Sequence, residues 1–138
     1  MKQQIKIKLV DAWPEEDIVN LYKAGGWWKD YYKPSGIKNL IRGSFAFAVA
    51  VDKNKAIGMG RVISDGVSDA YIQDTVVLPE YRGKGVGSEI IKILLKYCLS
   101  KKILWIALIA EPNQDKFYAT LGFEKMQNYV PMKYKIGE

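Results

Sequence analysis

The sequence predicts an α/β fold, a mixed and mostly antiparallel sheet with helices on both faces and one parallel β-α-β crossover, and three of its stretches carry that expectation. An extended stretch from Asp69 to Leu78 breaks at Pro79, turns through Gly83, Gly85 and Gly87, and runs directly into a helix. That helix, Ser88 to Leu99, keeps Glu89, Lys92 and Lys96 on one polar stripe. Ile90, Ile91, Leu94, Leu95, Tyr97 and Cys98 cover the rest, so it is buried over a wide face. Next comes Ile103 to Ala110, an apolar run of strand length without alternation, as expected of an interior strand covered on both faces. Strand, helix, strand implies a right-handed crossover between two parallel strands.

The elements before the crossover read as follows. Ile5, Ile7 and Leu9 alternate with Lys6 and Lys8, giving a first strand with one buried face. Pro14 suits the first position of a helix, Glu15, Glu16 and Asp17 complement its positive end, and Gly25-Gly26 stops it, leaving Ile18, Leu21 and Tyr22 inward. A second helix starts at Ser35 as N-cap, carries Ile37, Leu40 and Ile41 at helical spacing, and ends by Gly43. Phe45, Phe47, Val49 and Val51 alternate with three alanines in a second strand, turned by residues 52–55 into a third from Ala56 to Ile63. Gly58 and Gly60 weaken that third strand and point to a bulge or a close backbone contact. Ser64-Asp65-Gly66 turns the chain into the Asp69–Leu78 strand.

After the crossover, Glu111 to Asp115 opens a further helix with Pro112 near its start, and Gly122 closes it after Leu121. Phe123 to Gln127 and Met132 to Ile136 then supply a closing hairpin. With no linker, repeat or low-complexity tail, residues 1–138 are expected to form a single domain.

Composition narrows the chemistry. Hydrophobic residues at 49% and charged residues at 26% describe an ordinary globular chain. Apolar runs fall far short of the roughly 20 residues a membrane helix needs, so no membrane partner is expected. The N-terminus lacks the apolar stretch and cleavage signal of a secretory peptide, which makes the cytoplasm the expected location. A single cysteine, Cys98, excludes an internal disulfide and reads as an inert packed thiol. The absence of histidine removes Ser-His-Asp and Cys-His catalysis and most zinc sites; no metal is expected. A formal charge of +6 favours anionic partners, but no nucleic-acid-binding module is visible.

The glycine turn is a phosphate site by geometry. Glycines let backbone N–H groups close on an anion, and the helix that follows presents unpaired N–H donors backed by a partial positive charge. Arg82 and Lys84 add full charges. A Walker-type loop would need Ser or Thr after Lys84, where Gly85 stands, and a dinucleotide fingerprint would need glycine in place of Ser88. The spacing Arg82-x-x-Gly85-x-Gly87 after Val-Val-Leu-Pro-Glu-Tyr instead resembles motif A of the GNAT superfamily of N-acetyltransferases, which binds the pyrophosphate of acetyl-CoA. Phe117-Tyr118-x-x-Leu121-Gly122-Phe123 resembles motif B of the same superfamily. The stretch Ile72 to Tyr81, with Gly60-Arg61-Val62 upstream, is similar to a subset that includes arylalkylamine-type acetyltransferases.

The resemblance implies a GNAT-like fold and an acetyl-CoA-dependent N-acetyltransferase. Arg82, Gly83, Lys84, Gly85, Val86 and Gly87 would hold the cofactor's pyrophosphate. Val76, Val77 and Leu78 would pair with pantetheine along the strand edge, and Asn113 would touch the cofactor or cap its helix. Tyr118 occupies the motif B position whose hydroxyl protonates the departing sulfur in many relatives; packing beside Phe117 is its other reading. The acceptor would be a small-molecule or peptide amine, with a small aromatic amine or a polyamine first in mind. The aromatic cluster Trp27, Trp28, Tyr31 and Tyr32 either ties helices to the sheet or borders that acceptor. A homodimer is common among relatives.

An alkylamine of pKa about 10.4 is neutral only about once in two thousand molecules at pH 7, so its proton needs a path. Asp74, a lone carboxylate among Ile72, Thr75, Val76 and Val77, is the first candidate base, directly or through water; a structural or substrate-orienting carboxylate is the equal alternative. Glu111 is second. Some superfamily members carry a glutamate on the fourth strand where this chain has Tyr71. A non-catalytic acyl-CoA-binding regulatory domain would keep the glycine turn yet ignore changes at Tyr118 and Asp74. Nucleic-acid binding would show steep salt dependence.

Overall fold

The computed structural model describes residues 4–137. The chain divides into two compact units, one ending at Leu108 and a smaller one beginning at Ile109.

The first unit is a five-stranded sheet in sequential order. Strands β1 (Lys6–Leu9), β2 (Ala46–Asp52), β3 (Lys55–Ser64) and β4 (Asp69–Val77) form an antiparallel meander, and β5 (Trp105–Leu108) lies parallel to β4. Helices α1 (Glu15–Ala24) and α2 (Gly36–Gly43) precede β2, and α3 (Val86–Ser100) makes the crossover. The sequence dictates which helix takes which face. On β2 and β3, Phe47, Val49 and Met59 join Ile18, Leu21 and Tyr22 of α1 and Ile37 and Ile41 of α2 in one core cluster. The alternate positions are small. An added Cβ on Gly58 would lie 3.1 Å from Ile90 Cδ1 and 3.4 Å from Ala50 Cβ, and one on Gly60 would lie 2.9 Å from Ile90 Cγ2 and 3.2 Å from Leu94 Cδ1. Alanine and glycine thus form a low floor on which α3 sits close to the sheet.

Two irregularities shape the site. The β3–β4 register shifts between Met59, opposite Val76, and Arg61, opposite Gln73, so that Asp74 and Thr75 face the single Gly60. That two-against-one count is a β-bulge, and Asp74 takes φ 59 in it, a left-handed conformation that aspartate tolerates better than most residues. The Thr75 hydroxyl is buried with no hydrogen-bond partner among the described residues, 3.2 Å from where a Gly60 Cβ would stand. The second irregularity is that β5 pairs with β4 only from Asp69 to Ile72, leaving Gln73 to Val77 beyond the ladder.

Several expected boundaries move. Pro14 is the N-cap of α1 rather than its first residue, and Ser35 caps α2 without a side-chain hydrogen bond. β5 is shorter than the apolar run from Ile103 to Ala110: Ile103 is fully buried outside the strand, while Leu104 and Ile109 are exposed. In the second unit, α4 (Asp115–Ala119) starts after a turn that spans Pro112. Residues 123–137 contain no strand, so the expected hairpin does not form; Tyr129, Val130, Met132, Tyr134 and Ile136 are all exposed, and alternation without a buried face does not fix a register. No described helix is long and apolar enough to cross a membrane, and the described residues hold no cluster of metal-ligating side chains. Cys98 is fully buried, and burial pushes its thiol up, which keeps it protonated.

Candidate active site

The glycine turn takes the form that anion binding needs. After β4, Pro79–Tyr81 make one 3-10 turn, and Gly83 (φ 77) and Gly85 (φ 81) both adopt left-handed conformations. A Cβ at either glycine would meet nothing within 4 Å, so the loop's outer side is open. Gly85 is the N-cap of α3, and the first bond of the helix runs from the Glu89 N–H to the Gly85 carbonyl. The amides of Val86, Gly87 and Ser88 therefore have no partner within the helix. They head a helix of fifteen residues.

Side chains brace this loop. Arg82 Nε donates to the Val77 carbonyl at 2.8 Å, tying the turn to the end of β4. The Tyr81 hydroxyl donates to Asp52 Oδ2 at 2.6 Å, anchoring the turn to the end of β2; that bond raises the phenol's pKa above its ordinary value. Lys84 Nζ lies 5.6 Å from the centroid of the Tyr81 ring. The sequence places Tyr81 in the motif before the glycine turn and Asp52 in the turn after β2 but gives neither a role; only the burial of Asp52 in the structure shows that the two meet.

The β4 edge is narrower than expected for pantetheine. The Leu78 N–H donates to Ile57 O at 2.9 Å and its carbonyl accepts from the Tyr81 N–H at 2.9 Å, so both Leu78 backbone groups are engaged. Strand alternation turns Val76 toward β3 with Leu78 and turns Val77 outward. Because the Val77 carbonyl already accepts from Arg82, main-chain pairing with a ligand falls to the Val77 N–H.

Asp74 is not a lone carboxylate. Its Oδ2 accepts from Arg61 Nε at 2.7 Å and from the Tyr22 hydroxyl at 2.7 Å, and its side chain keeps 23% exposure. Burial, then the Asp74 charge, drive the Tyr22 pKa well above the ordinary tyrosine value, so Tyr22 remains a donor at any physiological pH. Arg61 Nη1 reaches Ser44 Oγ at 3.4 Å, and that hydroxyl donates to Leu40 O at 2.8 Å at the end of α2. From Tyr22 an aromatic series runs outward: Trp28 at 6.4 Å between centroids, then Tyr32 at 5.4 Å from Trp28, then Tyr31 at 4.9 Å, which is 77% exposed. The cluster thus packs against the core at one end and reaches solvent at the other.

In the second unit, Tyr118 on α4 lies between Phe117 (4.9 Å) and Phe123 (5.8 Å) in edge-on contacts. Asn113 has φ 67 and stands in the turn one residue before the Gln114 N-cap, so it does not cap α4. Glu111 is exposed in the same turn, where its carbonyl accepts from the Gln114 N–H.

A bulged strand feeding an open left-handed glycine loop at the head of a long helix defines an α/β domain with an anion-binding turn, suited to a phosphate-bearing group, beside a strand edge. Comparison with known proteins gives the family. Residues 14–134 match the acetyltransferase (GNAT) domain. GCN5-related N-acetyltransferase 2, chloroplastic, of Arabidopsis thaliana is 31% identical over 82% of this chain, which covers 45% of that protein. The uncharacterized N-acetyltransferase ycf52 of Porphyra purpurea is 31% identical over 87% of this chain and 74% of its own length. A GNAT-family acetyltransferase of Streptococcus pneumoniae TIGR4 superposes with a TM-score of 0.82 at 28% identity, over 98% of this chain and 100% of its own. The chain belongs to the GNAT acetyltransferase family.

Proposed function

We propose that this protein moves the acetyl group of acetyl-CoA to a primary amine by direct attack on the thioester. The observation that carries the reading is the pair of left-handed glycines, Gly83 and Gly85, opening onto the unpaired amides of α3 immediately beyond the bulge in β4. Arg82 to Gly87 hold the diphosphate, and Val76 to Leu78 line the thioester arm with the Val77 N–H as its hydrogen-bond donor. The amine nitrogen forms a bond to the carbonyl carbon and the carbon–sulfur bond breaks. The amine gives its proton to a solvent water beside Asp74, which orients the nitrogen, and by the motif B resemblance the Tyr118 hydroxyl gives a proton to the thiolate and regains it from solvent. A phenol near pKa 10 protonating a thiolate near 8.5 is uphill by about 2 kcal/mol, so Tyr118 assists a departure that is already feasible.

Arg61 on Asp74 favours substrate orientation over a free general base, since that carboxylate is already committed to an ion pair. The aromatic series ending at Tyr31 supports an acceptor with an aromatic body. The test is thiol release by the purified full chain with acetyl-CoA and a panel of phenylethylamine, spermidine and a peptide with a free N-terminus. Turnover is expected, fastest with phenylethylamine. Tight acetyl-CoA binding by calorimetry with no turnover across the panel would replace this reading by a non-catalytic acyl-CoA-binding domain.

A further inference from the structure

We propose that Arg61 and Tyr22 are positioning residues for the acceptor amine: together they hold one oxygen of Asp74 so that the other is presented to the incoming nitrogen. The inference builds on the proposed acetyl transfer with Asp74 on the acceptor side. Asp74 sits in the two-residue bulge of β4 with φ 59, where the backbone sends its short side chain toward α1 rather than along the alternation of the strand. Both bonds, from Arg61 Nε and from the Tyr22 hydroxyl, fall on Oδ2 at 2.7 Å. Oδ1 takes neither, on a side chain that remains partly exposed. A carboxylate rotates about its Cβ–Cγ bond, and two donors from different elements on one oxygen stop that rotation. The donors are themselves fixed. Arg61 continues to Ser44 and so to the α2 carbonyl of Leu40, and Tyr22 is wedged between Trp27 at 6.2 Å and Trp28. The arrangement neutralises Asp74 without covering it. It can accept a hydrogen bond from an amine, and it does not trap the amine as a permanently paired ammonium.

The test compares Arg61→Lys, Arg61→Gln, Tyr22→Phe and Asp74→Asn, and the Arg61→Gln/Asp74→Asn double variant, using the panel amine that turns over fastest. Arg61→Gln is expected to lower kcat/KM for the amine about tenfold or more while the KM for acetyl-CoA stays within about twofold. Arg61→Lys, which keeps the charge but loses the planar fork, restores part of that loss, and Tyr22→Phe shows a smaller one. In the Asp74→Asn background, Arg61→Gln adds little, because the group it positions is gone. Wild-type amine parameters in Arg61→Gln, or a full additional loss in the double variant, would overturn the assignment. Full turnover by Asp74→Asn would sink the underlying role of Asp74; an impaired Asp74→Asn beside an unaffected Arg61→Gln would sink only the positioning role. Should Arg61→Gln fail to fold, Arg61→Lys and Tyr22→Phe decide, and unchanged amine kinetics in both count against the proposal.

Discussion

Replacing Gly85 by alanine separates the backbone role of the glycine turn from its role in binding. Gly85 has φ 81 and ψ 7, and a Cβ there meets no protein atom within 4 Å, so the substitution brings no clash. Its folding cost is the left-handed conformation itself, about 1–2 kcal/mol for an L-residue. For a chain of 138 residues this lowers Tm by roughly 3–10 °C. The new methyl enters space that no protein atom fills, on the open side of the loop from which the proposed diphosphate approaches. We therefore expect CoA affinity by calorimetry to fall more than about tenfold, beyond 1.4 kcal/mol. Gly43→Ala is the control: it ends α2, has no positive φ, meets nothing within 4 Å, and should leave CoA binding alone while holding or slightly raising Tm. A Gly85→Ala protein that melts earlier as forecast yet binds CoA within about twofold of wild type would refute the phosphate site. One with unchanged Tm would refute the strained turn.

Four further outcomes follow from the packing and the site. Gly60→Ala drives a methyl to 2.9 Å from Ile90 Cγ2, and overpacking of this kind should cost about 1–3 kcal/mol by denaturant unfolding; a stabilised protein would show that α3 can lift off its floor. Thr75→Val removes a buried hydroxyl with no partner among the described residues and should stabilise by about 1 kcal/mol, whereas a loss of that size would reveal a bond the hydroxyl makes. Because Tyr22 has a folded pKa raised above its ordinary 10.0, its contribution is complete below that pH and declines above it. The stability deficit of Tyr22→Phe should be flat from about pH 6 to 9 and shrink at higher pH, and a deficit that grows there contradicts the buried, protonated phenol. Tyr118→Phe should lower turnover about ten- to a hundredfold without abolishing it; full activity with an unchanged pH profile removes Tyr118 from the reaction.

What the sequence makes legible is local. The glycine spacing, the polar stripe of α3, the alternation of β2 and the two glycines of β3 each encode their own element, and the strand order follows from short connections and one crossover. The partners of Asp74 are a different matter: Arg61 lies 13 residues away and Tyr22 lies 52 away, and no spacing rule joins them. The bulge that turns Asp74 toward them is signalled in the sequence only by the weak strand formers Gly58 and Gly60, the second of which lies opposite it. The tether from Tyr81 to Asp52 is equally non-local. The expected terminal hairpin fails for a non-local reason: a short stretch such as Met132 to Ile136 can mark where a strand could bury a face but supplies nothing to bury it against.

The left-handed backbone at residue 74 restricts the chemistry available there. Only glycine, asparagine and aspartate occupy that region cheaply, so a carboxylate at this point has to be the shorter of the two acids. A glutamate would add reach but would strain the chain and move its charge past the guanidinium. The enzyme is thereby left with an anion on a short stalk, unable to swing toward substrates of different lengths. On the proposed role of Asp74, any broadening of the amine range has to come from the walls around that anion and not from the anion itself.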